Sequence, residues 1–286
     1  MAVLSRLVPT IATTYGLQAL FAAVFIPLQT ERFYDLCGSI GFLSATGVSL
    51  YGPALKAKYW DGIPGATLPA LNTTNFAPRQ LILTAGLVVW SARLGSFLLE
   101  RAIRHNGDSR FDTIRSNPVT FALAWFMQAN WVMLVGLPVY LMNVLPATQH
   151  TPLSRGDKVG LAFAAAAFVL EVIADRQKSA WRAAKDAKVH SEKFISHGLW
   201  GWSRHPNYVA EIGIWTGVFF SSLRTLRAAY PTSATVAALG SPLLTYVLLR
   251  HISGVPPLEK AGDKKWRDDP AWKAYKSNVP VFWPWA

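Results

Sequence analysis

The sequence predicts an all-α, polytopic membrane helix bundle with about seven transmembrane helices and a short polar C-terminal tail. Three observations carry this. Hydrophobic residues make up 51% of the 286 and charged residues only 15%, whereas soluble domains carry roughly a quarter charged residues. The apolar residues gather in uncharged runs near the ~20 residues that a helix needs to cross a bilayer. There are also twelve Trp, a residue whose apolar ring and polar N–H favour the membrane–water boundary.

Taken in order, the expected spans are 7–30, 36–55, 80–99, 118–145, 159–174, 208–223 and 228–249. The first is uncharged and too long for the apolar part of a signal peptide, so it reads as a span rather than a cleaved leader. The second is rich in Gly and Ser, and Pro53 is expected to end it. The third carries one charge, Arg93, and the fourth none. The fifth and sixth are short and hold Glu171 and Glu211. Pro231 and Pro242 mark the entry to the last span or a kink within it. Between the second and third spans, residues 56–78 are rich in Gly, Pro and Asn and read as a loop. The tail beyond His251 is too polar to span. Its Trp266, Trp272, Tyr275, Phe282, Trp283 and Trp285 predict that it packs on the bundle or on lipid. A single integral membrane domain over 1–286 is the expectation.

With seven alternating spans, most Lys and Arg fall on one side if the C-terminus is cytoplasmic. Arg176, Lys185, Lys188, Lys193, Lys260, Lys264, Lys265, Arg267 and Lys273 are among them. The positive-inside rule then places the N-terminus outside. The compartment is an endoplasmic reticulum membrane in a eukaryote or an inner membrane in a bacterium. The formal charge of +12 suits an anionic lipid or a phosphorylated small molecule. A chain with so little soluble surface is not expected to bind nucleic acid. Cys37 is the single cysteine, so no internal disulfide forms.

Charge within or beside an apolar span is costly and marks candidate chemistry. Glu171, Asp175, Lys178 and Arg182 are spaced four, three and four apart, which puts them on one helix face. Ion pairing at a helix end is the plain alternative. In the run 203–211, Pro206 can open a helix. Arg204, Tyr208 and Glu211 then share a face, and Asn207 lies four before Glu211. Arg204, His205 and the helix start together make an anion site. After the last span, SGVPPLEK (253–260) forms a turn that carries Glu259 and Lys260. Arg93 needs a partner such as Glu171, Glu211 or a bound anion. His190, His197 and His205 lack zinc spacing, so no metal site is expected. Dinucleotide-binding and phosphate-loop glycine motifs are absent.

The runs EVIADRQK (171–178), GLWGWSRHPNYVAE (198–211) and SGVPPLEK (253–260) resemble the steroid 5-alpha-reductase C-terminal family. They are closest to its uncharacterised branch, the DUF1295 proteins. WSARLGSFLLERAIR (90–104) and GDSRFDTIR (107–115) fit that branch as well, so the likeness covers residues 80–286. The resemblance implies NADPH bound in a polar cavity open to the cytosol. It also implies reduction of a carbon–carbon double bond in a lipophilic, sterol-like or other lipid substrate. Carried onto matching positions, Asp175, Lys178 and Arg182 face the cofactor, as do Arg204, Asn207, Tyr208 and Glu211. His251 and Tyr275 close over the nucleotide, and His205 and Arg93 join the basic set. Tyr208 and Glu211 are the candidate catalytic residues. Trp90 stands where the family's steroid reductases carry a Tyr, and 36–55 holds no carboxylate. Trp cannot serve as a phenolic acid, so the steroid half of the site departs from the pattern. Two other readings remain open. One is a membrane methyltransferase using S-adenosylmethionine, whose families share an RHP-x-Y segment. The other is a non-catalytic lipid-binding scaffold.

Overall fold

The computed structural model describes residues 4–104 and 111–283, and all regular structure among them is helical. The beginning of the 107–115 motif, with Arg110, and Trp285 lie outside the described residues. Four stretches are long and apolar enough to cross a membrane: Ser5–Phe25, Pro78–Glu100, Pro118–Val135 and a stretch within Thr232–Trp266. The chain is an integral membrane protein of the all-α class. The other three expected spans are also helical, but one is rich in Gly, Ser and Thr, and the other two are short apolar stretches that each hold one glutamate and are flanked by charged residues. The chain divides into two compact units, Met1–Asp157 with Ser222–Ser241, and Lys158–Ser221 with Pro242–Ala286.

In the first unit, α1 (Val8–Phe25), packed on α2 (Tyr34–Leu55), inverts the pattern of a soluble helix. The buried face of α1 is Thr10, Thr14 and Gln18, while Val8, Leu20 and Val24 are exposed. Lipid is as apolar as leucine, so close packing and internal hydrogen bonds hold such helices together. Gln18 Nε2 donates to Cys37 O at 3.0 Å, and Gln128 Nε2 donates to Tyr34 O at 2.7 Å. Gly41 and Gly38 make room for these two amides. A Cβ there would meet Gln18 Nε2 at 2.7 Å and Gln128 Nε2 at 2.6 Å.

Pro53 does not end α2. The helix continues to Leu55 and then widens into a π turn, Lys56–Trp60. The Lys56 N–H shares the carbonyls of Gly52 and Pro53, and the proline itself is exposed, so the missing N–H costs one outward-facing bond. The stretch expected as one span over 118–145 is two helices, α4 (Pro118–Val135) and α5 (Leu137–Val144), after α3 (Pro78–Arg104). Pro138 opens α5, and the hydroxyl of buried Tyr140 donates to Val132 O at 3.2 Å. The Tyr140 ring lies where a side chain at Gly136 would be.

Arg79 is not the solvated loop charge that its position suggests. It is 1% exposed, and its Nη2 lies 2.7 Å from Asp157 Oδ2. Its Nη1 donates to Thr151 O at 2.8 Å and to Thr225 Oγ1 at 2.5 Å. Ser154 and Asp157 form a reciprocal capping pair, with Asp157 Oδ2 accepting from Ser154 N at 2.7 Å and Ser154 Oγ from Asp157 N at 3.2 Å. This box opens α6 (Arg155–Asp186).

In the second unit, α6 meets α7 (Pro206–Ala229) through small residues. A Cβ on Gly160 would come within 3.0 Å of Gly217 O, and one on Gly217 within 2.7 Å of Ala164 N, so the two backbones touch as in small-residue membrane packing. The helix α8 (Thr232–Val247) carries Pro242 internally and ends in a π turn, Leu248–Ile252. The tail folds as α9 (Val255–Trp266) and α10 (Pro270–Asn278). Of the two surfaces expected for it, bundle or lipid, these aromatics take protein: Trp272, Tyr275 and Val279 are buried with Phe194 and Trp266 against them.

Removing one partner of a buried ion pair strands the other charge. Arg79→Met is therefore expected to cost about 3–5 kcal/mol, and Arg79→Met with Asp157→Leu to recover part of that loss. Thermal unfolding in detergent, followed by near-UV circular dichroism, checks both.

Candidate functional site

The expected polar face of α6 forms within one uninterrupted helix. Glu171 and Asp175 on it are 2% and 6% exposed. Asp175 Oδ1 accepts a hydrogen bond from Asn207 Nδ2 at 3.2 Å, which joins α6 to the first turn of α7. Asn207 Oδ1 is buried with no hydrogen-bond partner among the described residues, an acceptor that is costly to leave unused. Lys178 lies 4.3 Å above the Trp200 ring, a cation–π contact that holds the ammonium beside the loop. Trp200 Nε1 donates to Ala174 O at 3.0 Å, and Leu199 N donates to Gln177 Oε1 at 3.0 Å. Gly198 permits this approach. Its φ is +61°, and a Cβ would meet Gln177 Nε2 at 2.7 Å.

The next turn is built on Ser203, Arg204 and His205. Ser203 Oγ accepts from His205 N at 3.2 Å and donates to Val281 O at 3.1 Å. Pro206 opens α7 as expected. The His205 ring stacks on Tyr208, with centroids 5.4 Å apart and planes 3° apart, so both side chains are oriented by one contact. Tyr208 also packs against the cluster of Ile212, Val255 and Phe282.

Arg204 and His205, expected to join an anion site, both contact a carboxylate of the tail. Both converge on Glu259 of α9. His205 Nε2 and Arg204 Nε each lie 3.2 Å from Glu259 Oε1. The arginine contact is an ion pair whose alignment falls short of a hydrogen bond. Lys276 Nζ approaches Glu259 Oε2 at 3.1 Å and Asp263 Oδ1 at 2.8 Å. Arg204 Nη1 donates to Lys276 O at 2.9 Å, and Arg204 N donates to Pro280 O at 3.0 Å. Trp272 Nε1 donates to Asp263 Oδ1 at 2.9 Å, and Tyr275 OH donates to Trp200 O at 2.8 Å. The tail is thus clasped to the 198–205 segment from both of its helices.

Burial pushes the His205 pKa down, and the neighbouring Glu259 carboxylate does not restore it. The ring is therefore neutral, and facing a carboxylate its Nε2 carries the proton. Burial also raises the Tyr275 phenol. For Lys276, burial is outweighed by hydrogen bonds to Asp263 and Glu259, and its pKa rises.

The structure brings together Asp175, Lys178, Arg204, His205, Asn207, Tyr208 and Tyr275 in the second unit. Arg182 is half-buried further along α6, and Glu211 is half-buried on α7. His251 is exposed on the π turn, edge-on to Tyr246 at 5.6 Å. Arg93 belongs to the first unit, where its guanidinium lies 5.4 Å from the Phe97 ring. Trp90, also in the first unit, is buried edge-on to Phe42 at 5.1 Å, with Trp131 at 6.2 Å. Asp263 and Lys276 were missing from the groups read off the sequence, because no local pattern distinguishes them from the other tail charges, whereas Glu259 stood in the 253–260 turn without a partner assigned to it.

The fold defines a class: all-helical membrane proteins, here with a C-terminal tail clasped to the 198–205 segment. The family model described as "Protein of unknown function (DUF1295)" matches residues 59–279, and the chain belongs to that family. No curated protein and no solved structure matches the chain.

Glu259→Gln removes the charge at the centre of the clasp and is expected to cost about 3 kcal/mol, read as a lower unfolding midpoint. The pH dependence follows from His205. Its folded pKa lies below the ordinary value near 6.5, so the unfolded chain takes up the proton first. The stability from the neutral ring is complete above pH ~6.5 and is lost as pH falls through the folded pKa. His205→Gln, which keeps a neutral donor, is expected to flatten the decline in midpoint below pH 6.5.

Proposed function

We propose that the chain is a membrane-embedded, NADPH-dependent reductase of a carbon–carbon double bond in a lipophilic substrate. The observation that carries this reading is the buried, partnerless acceptor Asn207 Oδ1, set beside Asp175 and near the start of α7. Such an acceptor suits a carboxamide N–H of the kind nicotinamide presents. Lys178 and Arg182 on the same face of α6 suit phosphate groups. The residues present therefore fit the cofactor, with Asp175, Lys178, Arg182, Asn207 and Tyr208 as those that would hold it.

When bound, NADPH supplies the hydride. The protein's share is to orient, exclude water and deliver a proton to the other alkene carbon. Tyr208 is the nearest phenol to Asn207 in sequence, and stacking on His205 fixes its ring. Its hydroxyl can release the proton, and solvent water restores it. Glu211, one turn further along α7, can polarise that hydroxyl or the substrate. Arg204 and His205 act as positioning residues through Glu259. In this reading the clasp and tail face the cytoplasm, where the Lys and Arg excess and the NADPH both lie.

The scaffold reading has one specific observation behind it: Trp90, in place of an acidic phenol, is packed among Phe42 and Trp131. Cofactor binding separates the readings. Purified protein is expected to enhance and blue-shift NADPH fluorescence. Lys178→Gln and Asp175→Asn should each weaken binding about tenfold without changing the unfolding midpoint. Binding of S-adenosylmethionine instead would move the assignment to methyl transfer, and binding of neither would leave the scaffold.

A further inference from the structure

The second unit holds a groove of about 250 Å³ between α6 and α7, with the end of the chain as its third wall. Its lining is almost wholly apolar and includes Ala166 and Leu170 of α6, Pro206, Ala210 and Gly213 of α7, and Phe282. The Ser203 hydroxyl at its edge is already spent on Val281 O. Gly213 keeps the floor low, since a Cβ there would come within 3.0 Å of Ala167 Cβ.

Sites for compact small molecules run to roughly 300–1,000 Å³ and place several polar groups on the ligand. This groove is smaller and lacks them, so it suits a flexible hydrocarbon chain better than a fused-ring body. Large apolar side chains on the flanking helices face outward: Phe163 is 52% exposed and Phe220 54%. In a membrane protein such a surface meets lipid. Trp202, in the loop that leads into the groove, is 74% exposed, as suits an indole at the headgroup level. A cation stands at the same wall. The Arg250 guanidinium lies 5.9 Å from the Phe282 ring, and Arg250 sits in the π turn just past the end of α8. An arginine at the end of an apolar helix reaches the phosphate level.

We infer that this groove holds one acyl chain of an anionic phospholipid from the surrounding bilayer, with Arg250 on the phosphate. The inference does not rest on the reductase reading, because the groove residues are distinct from those proposed to hold the cofactor.

Native mass spectrometry of the full chain tests it, with palmitoyl-oleoyl phosphatidylglycerol and phosphatidylcholine as probes. One phosphatidylglycerol is expected to survive per chain, in preference to phosphatidylcholine. Ala166→Phe fills the groove from an exposed helix position and is expected to weaken retention more than about tenfold. Arg250→Gln should reduce the preference for phosphatidylglycerol about fivefold, and Arg250→Lys should restore much of it. Unfolding midpoints equal to wild type confirm that the variants fold. Equal retention of both lipids would overturn the inference, as would retention unchanged by Ala166→Phe. A protein dimer dispersed by Ala166→Phe would assign the groove to a second copy instead and would also overturn it.

Discussion

The second unit depends on the carboxylate of Glu259. Three cationic or donor groups from two parts of the chain meet on it: Arg204 and His205 ahead of α7, and Lys276 of α10. A half-buried carboxylate is stable only when its lone pairs are used, and these partners use them. The consequences reach outward. The Ser203–His205 turn is fixed and α7 starts in the right place. His205 holds the Tyr208 ring. The backbone of 276–281 is stitched down by hydrogen bonds from Arg204 and Ser203, which places Phe282 and Trp283 as a wall of the apolar groove.

The first unit solves a different problem with the same rule. Its helices present apolar residues outward, so the hydrophobic effect does little to hold them together. Polar groups inside do that work. Gln18 and Gln128 reach across to backbone carbonyls that Gly38 and Gly41 leave accessible. Arg79 and Asp157 bury opposite charges together, and the capping pair of Ser154 and Asp157 shares the carboxylate. Arg79 and Asp157 are each satisfied several times over, as a low-dielectric site requires.

This division bears on function. The basic residues most conspicuous in the sequence, Arg204 and His205, both pair with Glu259. Among the described residues, Asn207 Oδ1 beside Asp175 is a buried acceptor with no hydrogen-bond partner. A ligand in the second unit would sense Arg204 through Glu259 and the start of α7.

The sequence by itself determined the helical membrane class, the polar face of α6, the helix start at Pro206 and the packing of the aromatic tail. All of these follow from periodicity, capping chemistry and composition, which are local and additive along the chain. Only the tertiary structure decided the rest. Pro53 reads as a stop, yet α2 passes through it because the one N–H it lacks falls on an exposed position of the helix. The run 118–145 reads as one span, yet Gly136 and Pro138 divide it, since the Tyr140 ring needs the space. Arg79 looks solvated and Lys276 looks like any other tail lysine, yet each has a carboxylate brought to it from 78 or 17 residues away in the chain. The cost of a buried charge is set by its partner, and a partner distant in sequence exists only once the helices have packed.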